Sequence, residues 1–208
     1  MTNKEVYKSL RDAEDAWLKK DAASPYLQWL EEEFVPETKM LQHTPIFDLV
    51  EIKDPGIIGF NPVKINSVSW ITICVEKDGK WLMEKQLRYG LMSRFTEFPS
   101  GMIEDGEDPI VAAKRELKEE TGYDVDVADI KYLGKFAANP AFMSNYMHYF
   151  YVNLDVAKWT LGNKELDAHE KIETLWKDKN EVLNQYFIDE DSVFKAGLYL
   201  RMQKEGLI

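Results

Sequence analysis

Glu116, Glu119 and Glu120 fall within one five-residue stretch. On a helix, positions three and four apart share one face, so the three carboxylates would stand together. Like charges that close raise one another's pKa unless a cation neutralises them. Hard oxygen ligands clustered this way suit Mg²⁺ or Mn²⁺, above all where a substrate phosphate completes the shell. The alternative is a solvated acidic face on an acidic protein.

A helix is also what the flanking residues specify. Asp108-Pro109 supplies a capping carboxylate followed by proline at its preferred first position. Gly122 stands where helices commonly end in the left-handed conformation. Between them Ile110, Ala113 and Leu117 recur at helical spacing and would face the core.

Residues 101–123 read GMIEDGEDPIVAAKRELKEETGY. With Gly101, Glu107, Arg115-Glu116-Leu117, Glu119-Glu120, Gly122 and Tyr123 in register, this stretch resembles a complete Nudix box. No specified position departs from the pattern, which sets the solvated-face alternative aside. The resemblance implies an α/β/α sandwich around a mixed sheet and metal-dependent hydrolysis of a nucleotide. Glu116 and Glu120, helped by Glu119, would hold the metal, with Glu119 and Glu120 counted among the catalytic groups. Arg115 would pair with a box glutamate and fix its rotamer, while Gly101 and Gly122 let backbone approach the site.

Ahead of the box, EKQLRYG and FTEFPSG are similar to the ADP-ribose and nucleoside-diphosphate-sugar pyrophosphatase branch of that family. By that resemblance Arg88 would contact substrate phosphate and Glu97 would lie beside the metal and phosphate site. The backbone carbonyl of Ser100 would be a metal ligand. An exposed arginine ending a strand is the plainer alternative for Arg88. The run from Asn139-Pro140 to Asn145 looks like a loop of the same branch, although Asn-Pro is also a common turn. Further on, LDAHEKIETLW holds the late glutamate that many Nudix enzymes use as metal ligand or base. Glu170 matches best, with Glu173 and Asp167 as runners-up and His169 adjacent. His43 and His148 have weaker claims. Trp29, Tyr89 and Phe142 are candidates for stacking on a base, and Phe142 is the one expected to bind substrate.

The elements that must carry these groups follow from periodicity. Val6, Leu10, Ala13 and Trp17 form the stripe of a first helix, and Ser24-Pro25 opens a second that runs to about Phe34. Residues 1–44 therefore read as a helical extension, a cap or dimer element, before a catalytic domain at 45–208. IFDLVEIK alternates as a strand, and SVSWITICVE joins Lys80–Arg88 through an Asp78-Gly79 hairpin turn. Strands are expected at 124–136, at 145–153 and near Ile172–Trp176. Helices follow at Asp178–Tyr186 and Asp189–Lys204. The class is α+β.

At 208 residues with a net charge of −11, the chain has the composition of an ordinary globular protein. Acidic residues spread along it argue against a nucleic-acid surface, which needs clustered Lys and Arg. No run approaches the roughly twenty apolar residues that span a bilayer. The charged N-terminus is unlike a signal peptide, and Cys74 alone, inside an apolar stretch, reads as a buried small hydrophobe in a reducing, cytoplasmic setting. The expected activity is hydrolysis of a nucleoside diphosphate linked to another moiety, at its pyrophosphate bridge, by a Mg²⁺-dependent homodimer. Hydrolysis of nucleoside triphosphates or dinucleoside polyphosphates is the alternative, and a non-catalytic nucleotide-sensing module is a second.

Overall fold

Alternating side chains and one short turn motif account for most of the sheet that carries the acidic helix. The computed structural model describes residues 37–45, 47–52, 63–88, 92–167, 170–184 and 193–208. Both expected N-terminal helices, and Trp29, Tyr89 and His169, lie outside these. The chain forms two compact units, residues 1–68 with 137–146, and residues 69–136 with 147–208.

In the first unit, β1 (Thr38–His43), β2 (Phe47–Ile52) and β3 (Val63–Ser67) make an antiparallel sheet. The Asn-Pro loop closes on its own turn, with Met143 N–H donating to Asn139 O at 2.8 Å. It then docks on β3 through Ile65 N–H to Phe142 O at 2.7 Å and Ser144 N–H to Ile65 O at 3.1 Å. Strand β1 had no counterpart in the sequence reading.

In the second unit, β4 (Trp70–Lys77) and β5 (Lys80–Arg88) meet at the expected hairpin. Asp78 and Gly79 have φ of 51° and 70°, the left-handed pair that matches the twist of flanking strands. Beyond the turn the strands part. Strand β6 (Ser93–Glu97) takes the edge of β5, and β7 (Ser100–Met102) takes that of β4. Helix α1 (Pro109–Thr121) follows, packing on β4 and β7.

Next come β8 (Tyr123–Val125), β9 (Lys131–Ala137), β10 (Tyr146–Asn153) and β11 (Trp159–Leu161). Strand β12 (Glu173–Asp178) leads into α2 (Lys179–Asn184), and α3 (Val193–Lys204) closes the fold. The single strand expected at 124–136 is thus two. Asp126 accepts from Ala128 N–H and caps a 3₁₀ turn at Val127–Asp129 that breaks it. Strand β8 then pairs with β11 rather than joining the main sheet.

The main sheet runs β12–β5–β4–β10–β9, with β10 parallel to β4 and β12 antiparallel to β5. Residues 71–76 of β4 are buried on both faces, and α1 and α3 both touch that strand. This is the expected α+β architecture of helices on a mixed sheet. Tyr199 of α3 stacks on Trp81 at 6.0 Å and meets Phe98 edge-on. Cys74 is buried, as its apolar setting implies. Among the described residues no helix is long and apolar enough to cross a membrane.

Candidate active site

The acidic face is held at both ends of α1 by the residues that predicted the helix. Asp108 Oδ1 accepts from Ile110 N–H at 3.1 Å, with Pro109 in the first turn. At the other end Gly122 has φ 83° and donates to Lys118 O at 2.8 Å. A Cβ there would lie 2.5 Å from Gly162 O, so glycine is needed for space as well as for conformation. Ile110, Ala113 and Leu117 are buried and fix the helix's rotation. That turns Glu116, Glu119 and Glu120 into a cleft of about 390 Å³ where β4 and β5 part.

Each glutamate is differently held. Glu120 is 4% exposed and accepts from Ser100 N–H at 3.1 Å. Glu116 lies against Gly101, where an added Cβ would collide with its carboxyl group. Arg115 organises the rest. Its Nη1 donates to Glu116 Oε1 at 2.8 Å and to Glu119 Oε2 at 3.0 Å. Its Nε and Nη2 fork onto Glu107 at 3.0 Å each, and Nη2 also reaches Met102 O at 2.8 Å. Arg115 thus ties the helix to the loop before it and fixes box glutamates.

Burial dominates the electrostatics. It pushes Glu116 up from 4.5 to about 7, against the pull of Arg115 and with further pushes from Glu119 and Glu170. Glu120 is raised well above the ordinary carboxylate range by burial, then by the charges of Glu84 and Glu116. Burial likewise lifts Glu84 to about 7. Burial raises Glu107 too, but its bonds to Arg115 outweigh this and the net shift is downward. Buried carboxylates in excess over cations are a donor set that a hard divalent ion would satisfy. Among the described residues no three acidic side chains yet converge on one point. A cation would have to compete with Arg115 for Glu116 and Glu119.

Arg88, Ser100, Arg115, Glu116, Glu119, Glu120, Asp167 and Glu170 all line this cleft. Glu97 does not: it is buried behind the wall, accepting from Arg88 Nε at 2.6 Å. Glu173 begins β12 opposite Lys85 and lines a separate cavity with Lys171 and Arg94. Phe142 belongs to the first unit, where it is 46% exposed. His43 pairs with Asp48 at 2.7 Å on the surface, and His148 is buried beside Tyr132.

The sequence reading missed Glu84, Trp70, Glu104 and Glu165. The last three line the cleft. Glu165 is brought there by its N–H donating to Glu119 O at 2.8 Å. A signal for Glu84 existed. Leu82, Glu84, Gln86 and Arg88 alternate onto one face of β5, so an acid there had to point inward.

A NUDIX domain family model matches residues 65–196. A methanol dehydrogenase activator of Bacillus methanolicus is 33% identical over 135 residues, covering 63% of this chain and 68% of that protein. An ADP-ribose pyrophosphatase of Bacillus subtilis (strain 168) is 35% identical over 104 residues, 50% of this chain and 54% of that one. A shorter match, 54% identical over 48 residues, links 23% of this chain to 22% of an ADP-sugar pyrophosphatase of Mus musculus. Among solved structures, an ADP compounds hydrolase superposes with a TM-score of 0.66 at 17% identity, covering 83% of this chain and 97% of its own. At that identity the likeness is one of fold.

Proposed function

The chain belongs to the NUDIX domain family and is a Nudix pyrophosphohydrolase, and within that class we propose that it cleaves a nucleoside diphosphate linked to another moiety. The substrate would be ADP-ribose or a nucleotide sugar, giving a nucleoside monophosphate and a sugar phosphate. The observation that carries this reading is one cleft holding the Glu116, Glu119 and Glu120 face together with Arg88. Support for the substrate class comes from the ADP-ribose and ADP-sugar pyrophosphatases among its relatives.

Glu116 and Glu120, with Glu119 and the Ser100 carbonyl, are the residues that would hold a divalent cation, Mg²⁺ or Mn²⁺. Such an ion supplies charge neutralisation at the phosphate oxygens and activates water. Arg88 forks onto a substrate phosphate, and its bond to Glu97 fixes the direction of the guanidinium. Arg115 keeps box glutamates in place. Glu170, on the cleft wall, takes the proton of the attacking water. The chain works as a cytoplasmic homodimer on a small molecule, and its net charge of −11 disfavours nucleic acid. The segment before residue 45 serves as cap or dimer element.

The test is a panel of ADP-ribose, nucleotide sugars, deoxynucleoside triphosphates and dinucleoside polyphosphates with Mg²⁺, Mn²⁺ or EDTA. Release of AMP and ribose phosphate from ADP-ribose, abolished by EDTA, is expected. Faster hydrolysis of triphosphates or dinucleoside polyphosphates would replace this substrate, and binding without turnover would make the chain a sensor.

A further inference from the structure

Glu84 lies in the middle of β5 with none of its surface exposed, and neither carboxylate oxygen has a hydrogen-bond donor. A buried carboxylate without a donor or a counter-charge is strongly unfavourable. Its surroundings do not relieve it. Directly opposite on β6 is another acid, Glu97, already committed to Arg88. On the other edge the opposing residue is Thr174 of β12. The group within hydrogen-bonding reach is the carboxyl of Glu120, itself buried and holding only one backbone N–H. Lys164 and Arg88 act on Glu84 through space, and neither bonds to it.

The direction in which Glu84 points follows from the strand. Residues two and four further along β5, Gln86 and Arg88, line the cleft, and side chains two apart share a face. Glu84 therefore shares the face of β5 that carries Gln86 and Arg88, buried beneath the cleft's lining and against Glu120 on the helix side. We propose that Glu84 is a further carboxylate of the divalent-cation site, reaching it from the sheet beside Glu120. This rests on the metal-dependent reading above. It assigns to one cation the counter-charge that both buried acids lack, and it places the sheet as well as α1 in the ion's grip.

The test is Mn²⁺ binding to the whole, nucleotide-free protein, read as free Mn²⁺ by electron paramagnetic resonance. Glu84→Gln keeps shape and removes charge. It should weaken Mn²⁺ binding about ten- to a hundredfold, the range found when groups supporting a metal site are lost. Its melting temperature in EDTA should be no lower than that of the unaltered protein, because a donor-less buried charge has been removed. Glu84→Asp, which keeps the charge one methylene further back, should bind with intermediate affinity and covers the case in which the glutamine variant does not fold. Unchanged Mn²⁺ affinity in either folded variant overturns the proposal while leaving the catalytic reading intact. An unaltered protein that binds no Mn²⁺ overturns both.

Discussion

Glu120 and Glu116 share a helical face but not an environment. Glu120 is sealed between Ser100 N–H and Glu84, while Glu116 is held by Arg115 against Gly101. Of the three helix carboxylates Glu120 is the most deeply buried. Glu120→Gln should lower kcat at least about a hundredfold, comparable to removing a charge-stabilising group elsewhere. Near-normal turnover in a steady-state assay would remove it from the metal site. Glu170 is a different case, since it sits on a loop. Its Oε2 accepts from Asp167 N–H at 3.1 Å and its own N–H donates to Asp167 O at 2.9 Å, so the two residues hold each other at the cleft wall. As the base, Glu170→Gln should lower kcat more than it raises KM. Retained activity there, with loss in Asp167→Asn or Glu173→Gln, would move the role. Glu173, facing a different cavity, is expected to be nearly silent.

At the scale of elements, what could be read from sequence was whatever depends on neighbours along the chain. Helix α1 announced itself through Asp108, Pro109 and Gly122, and the β4–β5 turn through Asp78-Gly79. Strands β6 and β7 did not, because FTEFPSG has too little alternation and a proline, and its pairing exists only where two longer strands separate. The cleft itself is that separation, so the box glutamates were legible while most of the wall they face was not, and the signal for Glu84 was a faint one. Glu84 hid inside WLMEKQL, where its apolar neighbours mask a face shared with Gln86 and Arg88. The same logic makes Gly122 a structural test. Alanine there must adopt a left-handed backbone, at about 1–3 kcal/mol, and its Cβ would press on Gly162 O. At about 2–4 °C per kcal/mol for a chain of this size, Gly122→Ala should melt several degrees lower by calorimetry. An unchanged melting temperature would mean the α1 end is freer than its cap geometry implies.

For the whole molecule, the properties that test this reading are assembly and pH response. A homodimer predicts twice the 24.2 kDa chain mass in light scattering at micromolar concentration, and a monomer mass would reject it. The pH response follows from the cleft. In metal-free protein Glu84 and Glu116 titrate at about 7 when folded, against 4.5 ordinarily. Between those values the folded chain binds more protons than the unfolded one, so stability falls as pH rises. The contribution is complete below about 4.5 and gone once pH passes about 7. In EDTA the melting temperature should therefore decline across that window. General repulsion in a chain of net charge −11 works in the same direction, so the slope alone does not identify the cause. Two comparisons do. Glu84→Gln should flatten the decline, because it removes one of the buried carboxyls whose protonation differs between folded and unfolded chain, whereas a surface Glu→Gln change removes one negative charge equally and should leave the slope nearly unchanged. Mg²⁺ should raise the melting temperature most at the upper end, where the carboxylates are ionised and a ligand of the folded state stabilises by mass action. If Glu84→Gln and a surface substitution shift the curve alike, the pH dependence belongs to overall charge and not to the cleft.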